Sequence, residues 1–189
     1  MGRIDEAYIM KNKLNVGIVL AFFIAVTSVG ASASTKVYTP DWVIQNKVVT
    51  PGVINTYVTQ ANIQTTVCKS GWTATIRPTT TYTNKLKLDQ LKGTYLAYTK
   101  TWGTTPSAYE EDHLISLQLG GDPKDPKNLW PEPYAGIGAR KKDVVETALK
   151  RLVCSGSLKL ADAQKAILDW PTAYKKYVTA ADKPDTSDN

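Results

Sequence analysis

Residues 109–134, YEEDHLISLQLGGDPKDPKNLWPEPY, decide the fold of this chain, because they join its only histidine to a turn and a polar loop. His113 follows three consecutive carboxylates at positions 110–112. A short apolar run at 114–119 comes next, and Gly120 and Gly121 then predict a tight turn. An acidic residue directly before a histidine places a hard oxygen ligand beside a base that titrates near neutral pH. This combination suits the activation of water next to a bound divalent metal ion.

The order Asp-His, apolar strand, Gly-Gly, loop, Asn-Leu and helix resembles that of the HNH, or ββα-metal, nucleases. The resemblance covers about residues 109–154 and rests on Asp112-His113, Leu119-Gly120-Gly121 and Asn128-Leu129. It implies an α+β fold in which a short β-hairpin and a helix form the nuclease core, with additional helices packed around it. A looser resemblance, over about residues 50–170, is to small secreted bacterial proteins that carry this motif.

The resemblance also implies a role for each motif residue. His113 is the expected general base, which takes a proton from the water that attacks phosphorus. Asn128 is expected to bond backbone groups across the loop and so to fix the base. Asp112 is the expected first metal ligand, with Glu110 or Glu111 as alternatives. Regular strand alternation points side chains 112 and 113 to opposite faces, so both serve one site only if the backbone kinks there.

The third metal ligand is where the sequence departs from the family pattern. The helix predicted over Ala139–Cys154 lacks the histidine or asparagine that the pattern places near its start. Asp143 or Glu146 would have to replace it, and the helical spacing slightly favours Glu146, which lies beside the apolar stripe. Either carboxylate can instead be a surface charge, with Lys150 as the i+4 partner of Glu146. The expected cation is Mg²⁺ or Mn²⁺.

A basic run opens the same helix, and it makes Arg140 and Lys142 predicted phosphate contacts. A solvated basic turn explains the run equally well. The net charge of +6 suits a polyanionic partner, although it also serves solubility alone. The sequence therefore predicts a metal-dependent endonuclease that acts as a monomer on nucleic acid, DNA rather than RNA. Phosphate contacts carry no base information, so low sequence preference is expected.

Two other functions remain open at this level. A nuclease-like module that has lost its metal would only bind nucleic acid. A hydrolase of cell-wall sugars would use paired carboxylates such as Glu110 and Asp112. The second alternative leaves Asn128 and the basic start of the helix without a role, which weighs against it.

Residues 1–33 are predicted to be a secretory signal peptide, with Lys11 and Lys13 before an apolar run at 14–29 and a small-residue cleavage site at 31–33. An uncleaved anchor is the alternative, although the run is short for a membrane span of about 20 residues. Translation can also start at Met10. Export predicts a secreted or periplasmic protein with no stable membrane association after cleavage. In that environment Cys68 and Cys154 are expected to form one disulfide.

The rest of the chain divides by pattern and composition. Residues 34–57 are predicted to be an extended lead-in, 58–181 the nuclease-like domain and 182–189 a disordered tail. The apolar spacing predicts further helices at 58–68, 84–92, 160–169 and 172–178. Alternation predicts strands at Trp72–Ile76 and, for the motif, at 108–119. Four prolines between 123 and 133 predict a rigid loop there.

Overall fold

The computed structural model describes residues 42–183 of the chain. The predicted signal peptide, residues 34–41 of the lead-in and residues 184–189 of the tail lie outside this range. Six α-helices and two strands are present among the described residues: α1 (Trp72–Ile76), α2 (Thr80–Lys92), α3 (Leu96–Trp102), β1 (Tyr109–His113), β2 (Leu129–Pro133), α4 (Ala139–Cys154), α5 (Leu160–Ile167) and α6 (Trp170–Tyr177). Short 3₁₀ helices lie at Gln60–Thr65, Pro106–Ala108, Leu117–Leu119, Pro126–Asn128 and Ala180–Asp182. The predicted α+β class is confirmed.

The two strands form an antiparallel hairpin of five residue pairs, which runs from Tyr109 opposite Pro133 to His113 opposite Leu129. The sequence predicted a rigid loop over the proline-rich segment, whereas the structure places β2 in its second half. Proline is compatible with this strand because both strands of a two-stranded sheet are edge strands, where a missing N–H is tolerated. A short connection leads from the hairpin to α4, which is linked to β1 through Lys142 and Asp112.

The motif strand is shorter than the predicted 108–119, because β1 ends at His113. The side chain of Asn128 explains the early end: it takes both the N–H and the carbonyl of Ile115, which a partner strand would otherwise bind. The chain then turns through the 3₁₀ helix Leu117–Leu119 to the predicted glycine pair. Gly120 has a φ of +74°, and a Cβ on Gly121 would lie 1.7 Å from the Ile115 carbonyl oxygen. Only glycine fits this turn.

The strand predicted at Trp72–Ile76 is wrong, because these residues form helix α1. Trp72, Ala74 and Ile76 alternate as in a strand, but Trp72 and Ile76 are also four residues apart, as on one face of a helix. Trp72 packs against the main core. No strand among residues 42–183 pairs with this segment, so its backbone groups bond locally.

Helix α4 spans the predicted range and forms the centre of the packing. Its buried residues Val145, Ala148, Leu149 and Val153 share one apolar core with helices α5 and α6 and with two 3₁₀ helices, Gln60–Thr65 and Leu117–Leu119. A second, smaller core contains Val43, Tyr95, Leu114 and Trp130, beside β2 and α3. The helices predicted at 58–68, 84–92, 160–169 and 172–178 are present with shifted ends, the first of them as a 3₁₀ helix.

The predicted disulfide between Cys68 and Cys154 is present, and it ties the end of α4 to the segment after the first 3₁₀ helix. Asp182, at the start of the predicted tail, accepts two hydrogen bonds from Arg151 on α4, at 2.9 and 3.0 Å. Within residues 42–183, no helix combines the length and the apolar character needed to cross a membrane.

Candidate functional site

His113 ends β1 and is 4 % exposed. Its Nε2 lies 3.0 Å from the carbonyl oxygen of Pro123. Because a carbonyl oxygen only accepts, Nε2 carries the proton and donates it, which leaves Nδ1 unprotonated in the neutral ring. Burial lowers the pKa of His113 below its ordinary value, and the nearby Asp112 carboxylate opposes this only in part. At neutral pH the ring is therefore a neutral base with a defined tautomer.

Asn128 is fully buried and makes four hydrogen bonds to the backbone. Its Oδ1 accepts from the N–H of Ile115 at 2.9 Å and from that of Val53 at 3.3 Å. Its Nδ2 donates to the carbonyls of Ile115 at 3.0 Å and Asp122 at 2.9 Å. Asp122 directly precedes Pro123, so Asn128 holds the loop that supplies the hydrogen-bond partner of His113.

A cavity of about 240 Å³ lies between β1 and the segment 77–87. Its walls include His113, Glu111, Arg77, Lys87 and Tyr134. Lys87 is anchored there, because its Nζ donates to the carbonyl of Tyr109 at 2.9 Å. Two cations next to a neutral imidazole form a suitable environment for an anion such as a phosphate group. The sequence analysis missed both cations, since no motif marks residues 77–87 and only the fold brings them to β1.

Glu111 contributes a second ionisable group to the same cavity. Both of its carboxyl oxygens are buried and lack a hydrogen-bond partner. Burial raises the pKa of Glu111 to about 9, the Asp112 carboxylate adds to this, and Lys87 opposes it. The carboxyl group is therefore protonated at neutral pH and adds no negative charge to the cavity. Sequence reasoning considered Glu111 only as an alternative metal ligand.

Asp112 lies between Glu111 and His113 on β1, yet its side chain contacts helix α4 instead of the cavity. Strand pairing is regular as far as His113, so the kink that would turn both motif side chains to one site is absent. Oδ2 of Asp112 accepts a hydrogen bond from Lys142 Nζ at 2.5 Å. The acid and the base of the motif therefore have separate surroundings.

Lys142 is 1 % exposed and is the centre of a buried ion cluster. Its ammonium also donates to the backbone carbonyl of His113 at 2.8 Å and to Oε1 of Glu146. The other oxygen of Glu146 accepts a hydrogen bond from Ser116 Oγ at 2.6 Å. Burial by itself would lower the pKa of Lys142, but the carboxylates of Asp112 and Glu146 outweigh it and raise that pKa above its ordinary value.

Glu132 completes this cluster from strand β2. It is fully buried, and neither of its oxygens has a hydrogen-bond partner. Burial, followed by the charge of Asp112, raises the pKa of Glu132 well above its ordinary value, which favours the protonated form. In that form its O–H can donate to the Asp112 carboxylate. The carboxylates of Asp112 and Glu146 therefore share one ammonium, that of Lys142.

The predicted metal ligands do not fit a divalent cation in this arrangement. Asp112 and Glu146 do converge, but the ammonium of Lys142 lies between them and uses an oxygen of each. Asp143, the other candidate, lies away from this cluster, 3.6 Å from the guanidinium of Arg140. Across residues 42–183, no group of three or more His, Cys, Asp or Glu side chains is arranged to hold a metal ion.

The two predicted phosphate contacts differ in position. Arg140 is exposed, and its guanidinium lies 5.0 Å from the centre of the Tyr134 ring, which borders the cavity. The prediction that Lys142 is a phosphate contact on the surface is wrong. Its aliphatic stem and ammonium are buried under β1, so it cannot contact a phosphate group in solvent. Within the basic run at 140–142, Lys142 therefore stabilises the fold and does not bind substrate.

Comparisons with models of protein families, with curated proteins and with solved structures gave no match to this chain.

Proposed function

We propose that this chain is an exported endonuclease that hydrolyses phosphodiester bonds of nucleic acid, with His113 as the general base. The observation that carries the proposal is the hydrogen bond from His113 Nε2 to the Pro123 carbonyl. It leaves Nδ1 as a proton acceptor beside a cavity that also contains Arg77 and Lys87. A histidine with a lowered pKa is unprotonated at neutral pH, as a base must be.

In the proposed reaction, Nδ1 of His113 takes a proton from water while the water oxygen bonds to phosphorus. The bond from phosphorus to the leaving oxygen breaks, and that oxygen takes a proton from solvent. Arg77 and Lys87 stabilise the negative charge that accumulates on the phosphoryl oxygens. The neutral form of Glu111 supports this step, since an ionised carboxylate there would repel the phosphate and raise the pKa of the base.

The substrate in this proposal is DNA first and RNA second. The cations of the cavity recognise phosphate groups, which every sequence carries, so low sequence preference is expected. The disulfide of Cys68 and Cys154 supports export, because such bonds persist in oxidising compartments. The predicted Mg²⁺ or Mn²⁺ has no part in these steps, because Asp112 and Glu146 are bonded to Lys142 and Asp143 lies beside Arg140.

Cleavage of plasmid DNA and of RNA by wild type and His113→Ala tests the proposal, with and without a chelator. Loss of a general base should reduce the rate by about 10²- to 10⁴-fold while circular dichroism and nucleic-acid binding stay near those of wild type. Lys87→Ala and Lys85→Ala form a matched pair, because both remove one charge from α2 but only Lys87 borders the cavity. A His113→Ala rate within a few-fold of wild type would refute the role of the base.

A second function has specific support. The ammonium between Asp112 and Glu146 removes a metal site from the hairpin and helix, as expected of a module that binds nucleic acid without cleaving it. The same experiment separates the two functions. The binding module predicts retention of DNA in a mobility-shift assay, with no cleavage by wild type under any metal condition.

A further inference from the structure

The ammonium of Lys142 is coordinated as a bound cation would be. Its three N–H groups have three oxygen acceptors: Oδ2 of Asp112 at 2.5 Å, the carbonyl of His113 at 2.8 Å and Oε1 of Glu146. Two carboxylates and a carbonyl are also the oxygen ligands that hard divalent cations prefer. All three donors of the lysine are used, and its side chain is 1 % exposed.

We propose that Lys142 is a built-in cation, whose ammonium fills the position that a divalent metal would take between Asp112 and Glu146. The core of the hairpin and α4 therefore binds no Mg²⁺ or Mn²⁺ there, because the ammonium already occupies an oxygen of each carboxylate. The inference concerns cation binding, so it holds whether or not the chain cleaves nucleic acid.

The fold keeps the ammonium in this position. Lys142 and Glu146 are four residues apart on α4, so both side chains extend from one face of the helix towards β1. Asp112 reaches them from a strand that continues without a kink. An entering divalent ion would have to displace a positive charge into the apolar core, where an unpaired ammonium is strongly unfavourable. The lysine therefore excludes the metal by charge as well as by volume.

The first test is titration of the wild-type chain with MnCl₂ or MgCl₂, without nucleic acid. Isothermal calorimetry and the thermal midpoint are the readouts, with NaCl of equal ionic strength as the control. We expect no saturable heat and no rise in midpoint beyond the salt control. Saturable binding that is lost in Asp112→Asn would overturn the proposal.

The second test removes the ammonium. Lys142→Met keeps most of the buried aliphatic stem and leaves the oxygens of Asp112 and Glu146 without a cation. We expect a lower midpoint than wild type and a new, saturable rise with Mn²⁺, since a ligand that binds only the folded state stabilises it. Lys141→Ala, a change at the adjacent exposed lysine, should lower the midpoint little and create no response to Mn²⁺.

The two tests together decide the proposal. If Lys142→Met folds and its thermal midpoint does not change with Mn²⁺, the oxygens of Asp112 and Glu146 do not form a cation position, and the proposal fails. An unfolded Lys142→Met that refolds when Mn²⁺ is added supports it. If this variant stays unfolded even with Mn²⁺, the wild-type titration decides alone. A failure of the nuclease assay changes none of these outcomes, because no substrate is present.

Discussion

Replacing Asn128 by Ala should destabilise the chain by about 4 kcal/mol. The side chain makes four hydrogen bonds to buried or partly buried backbone groups. The net contribution of one such bond is about 1 kcal/mol, and a buried donor that is left unpaired costs about 1–3 kcal/mol. The N–H of Ile115 loses its acceptor in a residue that is 3 % exposed, so its desolvation cost is large. The loss should therefore reach at least the sum of four average bonds.

The assay is urea unfolding of the disulfide-bonded chain, followed by tryptophan fluorescence and by circular dichroism. Asn55→Ala is the matched control, because Asn55 makes one exposed side-chain bond, to the N–H of Tyr57. That variant should lose less than about 1 kcal/mol. Asn128→Asp adds a further comparison: it keeps an acceptor for Ile115 and Val53 but lacks both donors and buries a charge, so it should not restore stability.

A loss below about 1 kcal/mol in Asn128→Ala, similar to that in Asn55→Ala, would refute the reasoning, because the loop would then be held by other contacts. The same variant also tests the site. Since Asn128 bonds the carbonyl of Asp122, next to Pro123, the loosened loop should release Nε2 of His113. Nucleic-acid cleavage should fall even at a temperature where the variant is folded.

Two further predictions concern stability. Replacing both Cys68 and Cys154 by Ser frees a loop with a sequence separation of 86 residues. The chain-entropy model gives a loss of about 4–5 kcal/mol, and equal urea midpoints with and without the bond would contradict it. Glu111→Gln should be more stable than wild type at alkaline pH and nearly equal near pH 4.5. Native Glu111 keeps its proton up to a pKa of about 9, whereas the unfolded group releases its proton above 4.5, so wild-type stability falls between these values. Parallel pH profiles of unfolding free energy in both proteins would contradict this reasoning.

The sequence predicts those parts of the fold that local pattern determines. Helix α4 repeats its apolar positions over 16 residues, so only one secondary structure satisfies the pattern. Trp72–Ile76 is too short for such a test, since its apolar residues fit both a strand and one turn of helix. The apolar pattern also could not predict the end of β1. The strand ends because the side chain of Asn128 bonds the backbone of Ile115, and the two residues are 13 positions apart.

The candidate site also has parts that the local sequence predicts and parts that only the fold shows. His113 and Asn128 were predicted to act together from residue type and spacing, and the structure connects them through the loop at Asp122 and Pro123. Lys142 was expected at the surface because it belongs to a basic run, and nothing local shows that Asp112, 30 residues earlier, pairs with it. The i+4 spacing of Lys142 and Glu146 was visible in the sequence, but only burial turns a weak surface pair into the centre of a cluster.

The strand that separates the acid from the base also connects them. Asp112 bonds to Lys142 of α4, whereas His113 lines the cavity together with Glu110 and Glu111. The ammonium of Lys142 nevertheless bonds the backbone carbonyl of His113, while Nε2 of the same residue bonds the carbonyl of Pro123. His113 is thus fixed at its backbone by the ion cluster and at its ring by the loop that Asn128 holds. If His113 is the proposed base, the buried lysine therefore helps to position it without a metal.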